Sequence, residues 1–193
     1  DELNFWAPFT YIPASVNPGL DEQKGSRTEL FIDDGIMQFN SEGKVLFKKS
    51  IIQIFLDNGM EEHILGPGEP VYDPIHLNDI QPVLFDGDFF KKGDLFLSLR
   101  HLSMIVLYRP SENKIVWYKQ YPWRLQHDVD ILNDHQISIF NNKRIVHNFD
   151  KSVKRYNNIL IYDFKNKKVL NKYENLFIKS DIRAHREGLA EIQ

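Results

Sequence analysis

Short apolar runs separated by polar turns dominate the chain from residue 36 to residue 173. They include Ile36-Met37-Gln38-Phe39, Leu95-Phe96-Leu97-Ser98-Leu99, Ile105-Val106-Leu107-Tyr108 and Ile159-Leu160-Ile161-Tyr162. Each has the length of a strand and is rich in β-branched and aromatic residues, which pack well on a pleated surface. Asn40-Ser41-Glu42-Gly43, Pro110-Ser111-Glu112-Asn113 and Lys165-Asn166-Lys167 lie between such runs and supply the residues that make tight reversals cheap. The runs at 95–99 and 159–162 are nearly continuous rather than alternating, the pattern of strands covered on both faces. A sandwich of two sheets predicts alternation instead and ranks second. Residues 1–28 hold three of the nine prolines and no periodicity, and read as an irregular extension. Ser50 followed by Ile51, Ile52, Ile54, Phe55 and Leu56 fits either a short N-capped helix or a strand.

The runs repeat. Ile105 and Ile159 stand 54 positions apart, as do Lys114 and Lys168, which open the second arm of each hairpin. A shorter-looped copy occupies Ile36–Phe39 and Lys44–Phe47. Upstream of the hairpins, His76-Leu77-Asn78-Asp79-Ile80 matches His127-Asp128-Val129-Asp130-Ile131 as His-x-x-Asp-Ile. The repeating unit therefore has four strands. Residues 76–120 form one unit and 127–173 the next, 29–50 is part of an earlier one, and 187–193 is expected to open a further one. Four-stranded units at intervals of about 40–50 residues are the signature of a β-propeller. The fold class is all-β, with this chain covering about three to four blades in residues 29–193. So few blades do not close a ring, which takes about four to eight. The chain is thus expected to be part of a longer polypeptide, or to close with a partner or a second copy.

Composition narrows the chemistry. With 24 Lys+Arg against 27 Asp+Glu the formal net charge is −3, which argues against nucleic acid as a partner. The absence of cysteine removes disulfides, thiolate nucleophiles and Cys-ligated metals. No apolar stretch approaches the roughly 18 residues of a membrane span. Gly66-Pro67-Gly68-Glu69-Pro70 lacks the Lys-Ser/Thr of a phosphate-binding loop and reads as a turn. His63, His135 and His147 have no metal-ligand spacing, so no metal and no cofactor are expected.

The repeat itself supplies a candidate site. His76 and His127 open the first strand of consecutive blades, and pseudo-rotation about a propeller axis would bring both imidazoles to one channel mouth. Asp79 and Asp130, at matching places, are expected to staple loops through turn amides. Arg100 and Arg144 follow second strands and can reach the same rim. Guanidinium and imidazole donors converging on one mouth suit the oxygens of sulfate or phosphate.

The stretch from Gln126-His127-Asp128 to Ile137-Ser138-Ile139-Phe140-Asn141-Asn142 resembles the bacterial arylsulfate sulfotransferases. The upstream His76-Leu77-Asn78, the strand end Ser98-Leu99-Arg100 and the hairpin strand Lys114-Ile115-Val116-Trp117 agree with that family. The likeness covers about residues 76–145, with weaker agreement at 157–193. Asn141 departs from it, standing where the family usually has Asp. The resemblance implies a six-bladed propeller in a periplasmic or otherwise exported protein. It implies transfer of a sulfuryl group, without a nucleotide donor, from an aryl sulfate to a phenolic acceptor through a sulfated histidine. By the same resemblance His76, His127 and Arg144 are expected to be catalytic, and Asn78, Arg100 and Asn142 to bind substrate. The family's nucleophilic histidine lies in a later blade, and His185 matches no motif for it. A propeller that binds without catalysing is the alternative, since a fold alone does not carry an activity.

Overall fold

The computed structural model describes residues 3–12, 15, 32–65, 71–143, 156–184 and 187–192. The described residues form three antiparallel meanders. The first contains β1 (Asn4–Tyr11), β2 (Asp33–Asn40) and β3 (Val45–Ser50). The second contains β4 (Leu77–Pro82), β5 (Leu95–Leu99), β6 (Met104–Arg109) and β7 (Lys114–Gln120). The third contains β8 (Val129–Asn133), β9 (Gln136–Asn141), β10 (Asn158–Asp163) and β11 (Lys168–Leu170). Every strand pairs with its sequence neighbour. From sheet to sheet the first strands are adjacent, β1 beside β4 and β4 beside β8. The protein is all-β with antiparallel sheets and little helix.

Burial explains the continuous apolar runs. Leu95, Leu97, Leu99, Met104, Val106 and Tyr108 face one core, shared with Ile36 and the helix that follows β3. Phe96, Ile105 and Leu107 face a second core, shared with Trp123, Ile137, Ile139, Leu160 and Tyr162. The middle sheet is thus covered on both sides, so β5 and β6 tolerate no polar alternation. One buried ion pair pins its outer turn: Arg109 reaches Asp94 through Nε at 2.7 Å and Nη2 at 2.9 Å, and the Asp94 side chain is 1% exposed.

The open choice after Ser50 resolves to helix. In α1 (Ile51–Asp57) the Ser50 Oγ accepts the Gln53 N–H at 3.2 Å and caps the first turn. The same hydroxyl donates to Asp33, joining the cap to β2. Ile51, Ile52, Ile54 and Phe55 turn into the first core, which rewards helical spacing over strand alternation. Two further short helices are α2 (Glu62–Leu65) and α3 (Glu174–Lys179).

Two expectations at the chain ends are corrected. Part of 1–28 is not irregular: β1 pairs with β2 along its whole length, from Asn4 opposite Asn40 to Tyr11 opposite Asp33. Gly35 permits that pairing, because a Cβ there would stand 2.5 Å from the Phe9 ring. A long-range partner, invisible in the local pattern, makes the strand. Conversely, residues 187–192 form no strand. They meet side chains rather than a strand edge: Asn142 donates to the Glu187 carbonyl, Asp128 accepts the Ala190 N–H, and Gly188 lies against the Phe140 ring.

Candidate functional site

Antiparallel pairing places the site residues at one end of two sheets. Leu77 at the start of β4 lies opposite Leu99 at the end of β5, so His76 and Arg100 flank the same edge. The Arg100 N–H donates to the His76 carbonyl at 3.0 Å, and the His101 N–H to the Ile75 carbonyl at 3.1 Å, extending the ladder past the strands. His76 has a φ of 53°, in the left-handed region, which turns the chain out of β4 at this point. In the next sheet His127 precedes β8, and its N–H donates to the Phe140 carbonyl of β9 at 3.1 Å.

The two imidazoles at the β4–β5 edge have fixed tautomers. His76 Nδ1 lies 2.6 Å from Asp73 Oδ2. A carboxylate accepts, so Nδ1 carries the hydrogen. His101 Nε2 lies 2.8 Å from Arg100 Nη1. A guanidinium only donates, so this Nε2 accepts and the hydrogen sits on Nδ1, which donates to the Asp73 carbonyl at 2.7 Å. The rings of His76 and His101 lie with centroids 4.5 Å apart and planes at 33°. Asp73, His76 and His101 present possible ligand atoms within 4.8 Å of one another. Both Nδ1 atoms are nevertheless spent as donors, and a guanidinium occupies the far side of His101, so the set is arranged for hydrogen bonding.

His127 is of a different kind. Its Nε2 is buried and has no hydrogen-bond partner among the described residues. Burial pushes its pKa down to about 4, with the charges of Arg100 and of His76 adding to the effect. His127 is therefore a neutral imidazole at ordinary pH, and Arg100 and His76 are both near enough to act on it electrostatically. Arg100 is itself 9% exposed.

The other expected site residues differ in position or partners. Asn78 donates to the Gln126 carbonyl at 3.1 Å, and buried Gln126 bridges the Leu99 and Met104 carbonyls, so Asn78 holds the loop that carries His127. Asn142 donates to the Ala184 and Glu187 carbonyls. Both amides are engaged with backbone rather than turned to an open mouth. Arg144 lies outside the described residues, as do His147 and His185. Asp79 acts as the expected staple, accepting the Val129 N–H at 3.1 Å. The matching staple in the next unit is Asp128, which accepts the Ala190 N–H, and not Asp130. Asp130 instead hydrogen-bonds Asp128; burial pushes its pKa up to about 6, with the charges of Asp128 and Asp79 adding to this.

Sequence reasoning missed Asp73 and His101. Asp73 stands three residues before His76 on an irregular stretch, and His101 stands directly after Arg100. Each was legible only as a polar neighbour of a candidate; their convergence needs the antiparallel return of β5.

These features define an all-β protein of repeated antiparallel meanders with imidazole and guanidinium groups gathered at one end of adjacent sheets. A family model described as Arylsulfotransferase (ASST) matches residues 5–192, and the chain belongs to that family. Neither a curated protein nor a solved structure matches it. Membership supports arylsulfotransferase-like function in general and aryl sulfates and phenols as the class of substrate.

Proposed function

We propose that the group formed by His76, Arg100 and His127 binds the sulfate end of an aryl sulfate and passes its sulfuryl group to a phenol through a sulfated histidine, with His127 taking the role that the resemblance gives to a histidine of a later blade. The observation that carries this reading is the buried Nε2 of a neutral His127, without a hydrogen-bond partner among the described residues and within electrostatic reach of Arg100. A nucleophile needs a lone pair at working pH, and a depressed pKa keeps one available. His127 Nε2 attacks sulfur, the bond from sulfur to the aryl oxygen breaks, and the phenolate leaves with the electron pair. In the second half a phenol oxygen attacks the same sulfur, and the S–N electron pair returns to His127. Arg100 offsets the charge on the sulfuryl oxygens and the leaving oxygen; losing one such donor costs about 2.7–4 kcal/mol in comparable oxyanion sites. The same reading takes the sheets as blades of a six-bladed propeller in an exported protein.

The test is chemical. After exposure to para-nitrophenyl sulfate without acceptor, the peptide containing His127 should gain the mass of one sulfuryl group and lose it on adding phenol. Arg100→Ala should weaken sulfate binding about tenfold or more. Sulfate binding without any labelling would favour a binding propeller, and an unchanged affinity in Arg100→Ala would remove Arg100 from the site.

A further inference from the structure

We propose that Asp73 is a positioning residue that makes His76 the proton carrier of this site. The inference rests on the sulfuryl-transfer reading and assigns a step that reading leaves without a residue. Each half of the reaction moves one proton. The leaving phenolate must gain one, and the attacking phenol must lose one.

His127 does not serve both as nucleophile and as base, because its lone pair is bound to sulfur when the phenol attacks. Arg100 does not serve either, since a guanidinium holds its protons throughout. Among the described residues His76 is the other group, besides Arg100, whose charge acts on His127, and its geometry fits. Its Nδ1–H is held by Asp73 Oδ2 at 2.6 Å, which leaves Nε2 as the nitrogen that exchanges a proton. Its side chain is 41% exposed, while the Asp73 side chain is only 16% exposed.

Asp73 is held in turn. Its backbone carbonyl accepts from His101 Nδ1 at 2.7 Å, and the other face of His101 accepts from Arg100. The His101 ring lies against the His76 ring. One network thus orients the proton carrier and the cation together. As the phenol oxygen attacks sulfur, its proton moves to His76 Nε2, and the Asp73 carboxylate stabilises the imidazolium that forms. In the other half that proton passes from Nε2 to the departing phenolate oxygen. Over a full cycle His76 ends as it began. An acid facing the second nitrogen of a histidine serves orientation and charge in this way in unrelated hydrolases.

The experiment compares Asp73→Asn and Asp73→Ala with the wild type in the full chain. Imidazole nitrogen NMR should show His76 protonated at Nδ1 in the wild type and in Asp73→Asn, whose amide oxygen still accepts. In Asp73→Ala the hydrogen should shift toward Nε2. With para-nitrophenyl sulfate and phenol, kcat should fall about tenfold in Asp73→Asn, where the charge is lost, and a hundredfold or more in Asp73→Ala. The Kd for inorganic sulfate should stay within about twofold in both, because Arg100 is untouched. Equal thermal melting of Asp73→Asn and wild type guards against misfolding. A His76 that keeps its Nδ1–H in Asp73→Ala overturns the proposal, as does an unchanged kcat. If the wild type neither transfers sulfuryl groups nor binds sulfate, the functional reading fails by itself, and the tautomer measurement still decides the role of Asp73.

Discussion

The Asp79 carboxylate accepts the Val129 backbone N–H at 3.1 Å and so ties the first strand of one sheet to the first strand of the next. Asp34 makes the same kind of link to the Leu77 N–H at 2.8 Å, and Asp128 to the Ala190 N–H at 3.1 Å. Each link satisfies a backbone amide at the head of a segment with a side chain from an earlier sheet. Asp79→Asn keeps an acceptor for Val129, whereas Asp79→Ala removes it. Both variants lose the charge, so the difference between them isolates the hydrogen bond. Asp79→Ala should be less stable than Asp79→Asn by about 1–3 kcal/mol in urea unfolding. Equal midpoints would show that the amide finds another partner.

Protonation of Asp79 couples the same residue to pH. Burial, with the Asp128 charge adding to it, pushes its pKa up to about 6 from 3.8, against the pull of the Val129 and Ile80 N–H groups. Between these values the native state holds a proton that the unfolded state has released. Stability from this group is therefore complete below the lower value and is lost as pH rises through the upper one. Relative to wild type, Asp79→Asn should gain roughly 3 kcal/mol or less on going from pH 4 to pH 7. A constant difference across that range would contradict the assignment.

His127 acts in the opposite sense. Its pKa of about 4 lies below the ordinary 6.5, so the unfolded chain binds its proton first as pH falls. The stability it contributes is present above 6.5 and is lost as pH drops toward 4. By NMR the His127 ring should titrate near 4 and stay neutral through the working range of the site. Arg100→Ala should raise that midpoint, since one of the charges that depress it is gone. A midpoint unmoved in that variant would mean that the Arg100 charge does not act on it.

The Arg109–Asp94 pair should be the costliest single ion pair to break among the described residues. Its two parallel hydrogen bonds are short, and Asp94 is almost wholly shielded. Arg109→Ala leaves a buried carboxylate without its cation and should cost about 3–5 kcal/mol. Arg109→Lys cannot form the fork and should recover only part of this. Denaturant unfolding of the two variants beside wild type gives both values.

Gly35 and Gly188 are fixed by close approach rather than by backbone angle. An added Cβ at Gly35 would meet the Phe9 ring at 2.5 Å and the Lys49 carbonyl at 2.9 Å. One at Gly188 would meet the Phe140 ring at 1.9 Å. Gly35→Ala should weaken the β1–β2 pairing and lower global stability by about 1–3 kcal/mol. Gly188→Ala should instead release the 187–192 segment while the sheets stay folded. Hydrogen exchange at Ala190 should quicken in the second variant with little change at Leu97 or Val106; quickening at both would mean that the segment belongs to the cooperative core.

Taken by itself, the sequence determined what is local or repeated. The hairpin runs at 105–117 and 159–170 carry their own turn residues and strand-forming side chains, so their spacing reported antiparallel sheets directly. The continuous apolar stretch at 95–99 reported burial on both faces, because a side chain that meets water on one face would be polar there. The internal His-x-x-Asp-Ile match brought His76 and His127 forward, and Arg100 followed from its place at a strand end. Tertiary structure decided whatever depends on a distant partner. Asn4–Tyr11 becomes a strand because β2 offers it an edge across a long gap in sequence, and 187–192 does not because it meets only side chains. Asp128 rather than Asp130 ties the last segment, since the choice turns on where Ala190 comes to lie. Asp73 and His101 join the site because β5 returns antiparallel to β4 and closes the loop ends on each other. The tautomers of His76 and His101 follow from that closure, for hydrogen-bond direction is set by the groups that meet in space.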